Sequence, residues 1–260
     1  MNQHAKISLF LITSLLITQS IALADKYDLA SSDEFFVDNP VPLPVGQVFL
    51  DFHSTFTKIK TGTGADVPIL WVLMGVQPDL QLRVDLPLSL SDPKIGKTHY
   101  GYGDTRVCAK YRFVRETESM PTIATYPKIS LPSGNAAKGL GNGKWFGTFP
   151  LWLQKQWGPL KITMGAGYGI NHAKGKKNYP FGGMLVQWQF SRNFMLGNEI
   201  YSEGRKSLTE GGRLVYNFGG SYFFTPSRSI LFSLGHSIYG AEKFIGYLGY
   251  GYTWGNPAYP

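Results

Sequence analysis

Residues 80–90, Leu80-Gln81-Leu82-Arg83-Val84-Asp85-Leu86-Pro87-Leu88-Ser89-Leu90, alternate apolar and polar without a break. In an extended chain successive side chains point to opposite faces, so this stretch carries six leucine or valine side chains on one face and Gln81, Arg83, Asp85, Pro87 and Ser89 on the other. Residues 160–171 repeat the design. Leu160, Ile162, Met164, Ala166, Tyr168 and Ile170 face one way, and Lys161, Thr163, Gly165, Gly167, Gly169 and Asn171 the other. Thr105 to Phe113 does the same, with Val107, Ala109, Tyr111 and Phe113 opposite Arg106, Cys108, Lys110 and Arg112. A two-layer soluble sandwich shows a few such strands. Charge after charge on one face and unbroken apolar residues on the other suits strands that meet lipid outside and water inside.

Working outward, about twelve such stretches lie between Val48 and Trp254. Tight turns are expected at Gln77–Asp79, Gly158–Pro159, Ser191–Asn193 and Thr225–Arg228, with a slightly longer one near Glu116–Met120. Longer connections fall between them at Ser91–Gly103, Pro132–Lys144, His172–Tyr179 and Glu203–Gly211, with shorter ones at Thr61–Ala65 and Gly240–Ala241. Short and long alternate strictly, as in outer-membrane barrels with periplasmic turns and exterior loops. The expected fold is therefore an all-β, antiparallel, up-and-down transmembrane barrel of about twelve strands spanning residues 47–254. Trp157, Trp188 with Phe190, Phe223 with Phe224, and Trp254 gather near the short turns and read as an interfacial girdle.

The flanks fit export. Lys6, the apolar run Ile7–Thr18 and the small-x-small site Ala22-Leu23-Ala24 read as a cleavable signal peptide over residues 1–24. Residues 25–46 are acidic and then Pro-rich (Pro40, Pro42, Pro44) and form a periplasmic lead-in that can tuck into the barrel mouth; residues 255–260 are a tail. Hydrophobic residues make up 43% of the chain and charged ones 16%, and mean hydropathy is -0.11, too polar for a helical membrane protein. Cys108 is the only cysteine, which excludes an internal disulfide and CxxC chemistry. A formal charge of +8 on an exported chain points to a basic lumen or to contact with lipopolysaccharide and outer-membrane lipid, not to nucleic acid.

No motif calls for a cofactor or a metal. Gly165-x-Gly167-x-Gly169 lies at strand period with no helix after it, so it is not a dinucleotide fingerprint. Gly139, Gly141 and Gly143-Lys144 lack the first glycine and the Ser or Thr of a phosphate loop. His53, inward with Asp51, has no metal-site partners at a recognised spacing. His236-Ser237, the one adjacent His–Ser pair, splits across the two faces of a strand and does not make a lipid-hydrolase dyad. The constellation left is the inward charge set, with Asp51, Arg83, Asp85, Arg106, Lys110, Arg112, Lys128, Lys161, Glu199 and Arg213 as candidate lumen-lining residues, beside Asp104. Arg83, Arg106, Lys110, Arg112 and Lys128 come from consecutive strands and form a basic wall, with Glu199 and Glu203 across from it. The wall supports either a water-filled path for a small solute or a charge network that fills a closed, structural or adhesive barrel.

The order Gly101-Tyr102-Gly103-Asp104, Lys110-Tyr111-Arg112-Phe113, Pro132-Ser133-Gly134-Asn135, Gly139-Leu140-Gly141-Asn142-Gly143 and the Gly165–Asn171 strand resembles a family of outer-membrane proteins named for the meta-pathway of phenol degradation. The likeness covers residues 101–171, with Ser133 where Thr is more usual. It implies an outer-membrane barrel serving as a channel for aromatic or other small hydrophobic compounds.

Overall fold

A computed structural model describes residues 34–209 and 211–255. The leader, the first part of the lead-in and residues 256–260 of the tail lie outside the described residues. The strands are β1 (Val48–Ile59), β2 (Gly62–Gln77), β3 (Leu80–Pro93), β4 (His99–Tyr102), β5 (Arg106–Val114), β6 (Thr122–Thr125) and β7 (Lys128–Ser130), then β8 (Phe146–Trp157), β9 (Leu160–Asn171), β10 (Tyr179–Ser191), β11 (Phe194–Glu203), β12 (Arg213–Thr225), β13 (Arg228–Tyr239) and β14 (Glu242–Trp254). Neighbours pair antiparallel, and β1 returns to β14 over the register Val48↔Trp254 to Ile59↔Glu242. The sheet therefore closes on itself.

These fourteen strands make twelve staves. β4 and β5 both pair with β3, and β6 and β7 both lie between β5 and β8, so each pair is one stave broken in the middle. The breaks sit at Gly103–Thr105 and Tyr126–Pro127. Proline has no amide to give to a ladder, yet the carbonyl of Pro127 still accepts from Ala109 N at 3.1 Å, which carries the pairing across the gap.

The outer surface is apolar. Leu82, Leu86, Tyr111, Met164, Tyr168, Leu234 and Leu248 are exposed, while Gln81, Arg83 and Asp85 from the same stretch as Leu82 are buried. A closed barrel with apolar side chains on its outside needs a bilayer as its solvent. The girdle aromatics Trp157, Trp188, Phe190, Phe224 and Trp254 all stand outward. Phe223 departs from the expectation: it turns inward, is buried, and packs with Met195. Period two forbids neighbours such as Phe223 and Phe224 from sharing a face.

The long connections are shorter than the sequence suggests. β3 runs on to Pro93 and pairs with β4 from Leu88↔Tyr102 to Ser91↔His99, leaving residues 94–98 as the loop. β2 starts at Gly62, so the first connection is only Lys60-Thr61. A crossing needs about 9–11 residues, and β2 has 16 and β3 has 14. Their ends stand beyond the bilayer, where the outer face no longer has to be apolar and the alternation that marks a strand fades.

Candidate functional site

The lumen is occupied by the chain's own lead-in. Backbone from Gly46 at the short-turn end, where Gly46 N donates to Gly75 O at 2.9 Å, runs inward to Glu34. Glu34, Phe35, Val37, Asp38, Asn39 and Leu43 are all buried. A strandless segment inside a barrel must find partners for its backbone, and the inward polar side chains supply them. Val37 N donates to Glu199 Oε1 at 2.6 Å, Leu43 N to Gln81 Oε1 at 2.9 Å and Ser233 Oγ to Glu34 O at 2.6 Å, while Lys110 Nζ donates to Val41 O at 3.3 Å. Its apolar side chains pack on inward aromatics. Phe35 and Val37 sit among Tyr126, Trp152, Phe181 and Tyr201, and Leu43 sits with Phe49, Trp71 and Tyr247.

The basic wall is assembled around one carboxylate and one ring. Asp85, fully buried, pairs with Arg83 Nε at 2.8 Å and with Arg106 Nε at 3.1 Å. Arg83, Lys110 and Lys128 stand 5.2, 4.7 and 5.1 Å from the ring centre of Tyr126, and Arg83 also covers Trp71 at 4.0 Å. Lys128 Nζ reaches Asp38 of the lead-in at 2.5 Å, and Trp152 Nε1 donates to the same carboxylate at 3.1 Å. Removing one member of such a buried pair leaves a charge without compensation, typically at a cost of about 3–5 kcal/mol.

The remaining charges sit elsewhere. Arg112 does not join the wall; it lies at the short-turn end, 2.8 Å from Asp79, beside Arg115 at 2.9 Å from the same carboxylate. The hydrogen bond from Arg115, with help from Arg112, holds the Asp79 carboxyl below the usual range against the opposing effect of burial. Glu199, across the lumen, accepts from Asn217 Nδ2 at 2.5 Å as well as from Val37. Asp51 accepts from Tyr247 Oη and lies 3.3 Å from His53 Nδ1. Arg213 bridges Glu203 at 2.5 Å and Glu242 at 3.0 Å at the long-loop end, and Lys161 is buried on β9. His236 points outward beside Tyr216, whereas Ser237 Oγ donates inward to Glu242 Oε2 at 2.6 Å.

Open volumes remain in and above the lumen, and two of them share part of their walls. An outer vestibule of about 510 Å³ is bounded by Asp104, Arg106, Leu140, Asn142, Lys174 and Lys176. An inner chamber of about 300 Å³ has Arg83, Arg106 and Lys128 on one wall and Ile69, Trp71 and Tyr247 on another. Asp66 and Arg106 border both. Of the charged residues read from the sequence, Arg83, Arg106 and Lys128 border the inner chamber, while Asp51, Asp85, Lys110 and Glu199 are closed off by packing. The inward aromatics Trp71, Tyr126, Trp152 and Tyr247 are not legible as site residues in the sequence. Their one signal is aromatic residues on the nominally polar face.

No protein-family model matches the chain, and no curated protein matches it. Its fold is shared with solved structures. A COG4313 outer membrane channel from Pseudomonas putida F1 superposes with a TM-score of 0.70 at 15% identity, over 86% of this chain and 99% of that one. The KdgM porin in complex with disordered oligogalacturonate gives 0.54 at 11% identity, over 80% and 99%. The NanC porin gives 0.56 at 11% identity, over 78% and 98%. The chain thus has the fold of outer-membrane channel barrels.

Proposed function

We propose that the protein is an outer-membrane channel that lets small solutes pass passively through a lumen narrowed by its own lead-in. The observation that carries this reading is the pair of adjoining chambers that share Asp66 and Arg106 in their walls, the outer one among the long loops and the inner one against the lead-in. Charged side chains facing one another across a narrow water-filled path set its selectivity. The solved structures that share the fold are channels and porins, which supports the same reading.

The inner chamber favours a small solute with an apolar, aromatic body and an anionic or polar group. Trp71 and Tyr247 offer ring faces, and Arg83, Arg106 and Lys128 offer donors. The buried Trp71 Nε1 has no acceptor among the described residues. A buried donor left unmet costs about 1–3 kcal/mol, so a water or a solute atom is favoured there. The motif resemblance to the meta-pathway family points to aromatic compounds as well. Loop lysines such as Lys174 and Lys176 would draw anions to the mouth, and the exposed Lys94 and Lys97 would meet lipopolysaccharide phosphates.

Reconstitution in planar bilayers and in liposomes tests the channel. Conductance and uptake of small aromatic acids are expected from the folded protein, and a folded barrel that passes neither ions nor solutes overturns the reading. One observation favours a second reading, a closed structural barrel: the hydrogen-bonded lead-in fills the middle of the lumen. That reading requires silent membranes from the wild type.

A further inference from the structure

We infer that the exterior loop 131–144 is a fixed constriction of the mouth, latched by Asp104, and that Leu140 at its tip sets the size of solute admitted. This rests on the channel reading above. The loop leaves β7 and returns as β8, yet its tip does not lie over those staves. The left-handed Gly139 (φ 72°) has Ser91 of β3 against it, and the Leu140 side chain lies against Gly101 of β4. The tip thus reaches back across the β4–β5 stave to β3. Leu140, only 6% exposed, borders the outer vestibule and also a second opening of about 270 Å³ whose far side is Thr55 and Thr57 of β1 and Gly64 of β2. Gly139, Asp66 and Ser89 border both with it.

A 14-residue excursion holds such a position only if something fixes its ends. Asp104 does so with both carboxylate oxygens: Oδ1 accepts from Gly134 N at 2.9 Å and Oδ2 from Asn142 N at 2.6 Å. One side chain therefore ties the outgoing and the returning limb together. Hydrogen bonds from backbone N–H groups to a charged acceptor are about twice as strong as neutral ones. The limbs can close on Asp104 because Gly134 and Gly141 lack side chains; a Cβ on Gly141 would fall 2.4 Å from Asp104 Oδ1, and one on Gly134 would fall 2.3 Å from Leu140 O. Ser133 adds a second tie, its Oγ donating to Gly103 O at 2.9 Å and accepting from Thr105 N at 2.8 Å. Asn142 and Asn171 exchange side-chain amide bonds at 3.0 and 3.2 Å, pinning the returning limb to β9. The glycines, Asp104 and Ser133 of the motif series thus converge on one latch, which gives them a common physical task.

The test compares wild type with Asp104→Ala and Leu140→Ala, each checked for a heat-modifiable gel band as evidence of a folded barrel. Asp104→Ala should free the loop backbone so that trypsin can cleave at the already exposed Lys138 and Lys144, and shift the liposome-swelling cut-off to larger solutes, with Asp104→Asn intermediate because one acceptor oxygen remains. Leu140→Ala should shift the cut-off while the loop stays resistant to trypsin. Unchanged cut-offs in both variants, in a wild type that conducts, overturn the constriction; a loop that resists trypsin in Asp104→Ala overturns the latch. A wild type that passes nothing overturns the channel reading, and the constriction falls with it.

Discussion

Adjacent residues Arg83 and Val84 meet opposite solvents. Arg83 is buried against Asp85 and Trp71, and Val84 sits on the outer face between Val72 of β2 and Val107 of β5. Val84→Arg places a charge in lipid and should lower unfolding free energy by about 2–4 kcal/mol if the site is near the midplane, measured by denaturant titration in vesicles. Arg83→Leu should instead reduce anion preference in reversal-potential measurements, and its stability loss is that of removing one of the two cations paired with Asp85, Arg106 remaining. Unchanged ion preference in Arg83→Leu, or a Val84→Arg barrel as stable as the wild type, would refute the assignment of faces. A second residue-scale consequence concerns acid. The Asp79 carboxyl is held below its ordinary range by Arg115, so its contribution is present above the unfolded value and is lost as pH falls through the folded one. Asp79→Asn should therefore flatten the acid limb of the stability profile between those two values. The effect is modest because Arg115 is largely exposed and screened.

At the scale of elements, the staves and the lead-in differ in how far the sequence reveals them. Leu80–Leu90 is readable because lipid and lumen impose opposite demands on alternate residues, and β9 is readable for the same reason. β3 beyond Leu90 and β4 escape that reading because their outward residues no longer have to be apolar. The stave broken at Pro127 keeps its pairing through a carbonyl, which composition does not show. The lead-in has no period at all. Its partners Glu199, Ser233 and Trp152 lie 162, 199 and 114 residues from Val37, Glu34 and Asp38. For the same reason the aromatic lumen residues are illegible: Trp152 and Tyr201 face inward to meet a segment that periodicity cannot place. Weakening two of its anchors, with Lys128→Met and Glu199→Gln together, should loosen the segment and raise single-channel conductance. A double variant that stays folded with wild-type conductance would show that the segment does not limit flow.

For the whole molecule, closure of β1 on β14 makes the sheet continuous around the barrel, and twelve staves leave a lumen between the filled interior of small barrels and the open one of porins. The sequence conveys the number and parity of staves because each crossing repeats the same two-sided demand. It conveys the charges of the lumen without their pairings, since Asp85 with Arg106 and Asp38 with Lys128 depend on register and on the lead-in.

The lead-in also carries a consequence for biogenesis. Its bonds to Glu199 and Ser233 join the start of the described chain to strands made long after it, so they can exist only when β11 and β13 are in place. Contacts of such long sequence separation form late in folding. Residues 34–43 are therefore a built-in reporter of completed assembly, open to protease while the cylinder is unfinished and protected once it has shut. In pulse-labelled refolding into vesicles, protection of this segment should appear together with the heat-modifiable form. Protection that comes clearly earlier would mean that the segment folds against fewer strands than the finished barrel provides.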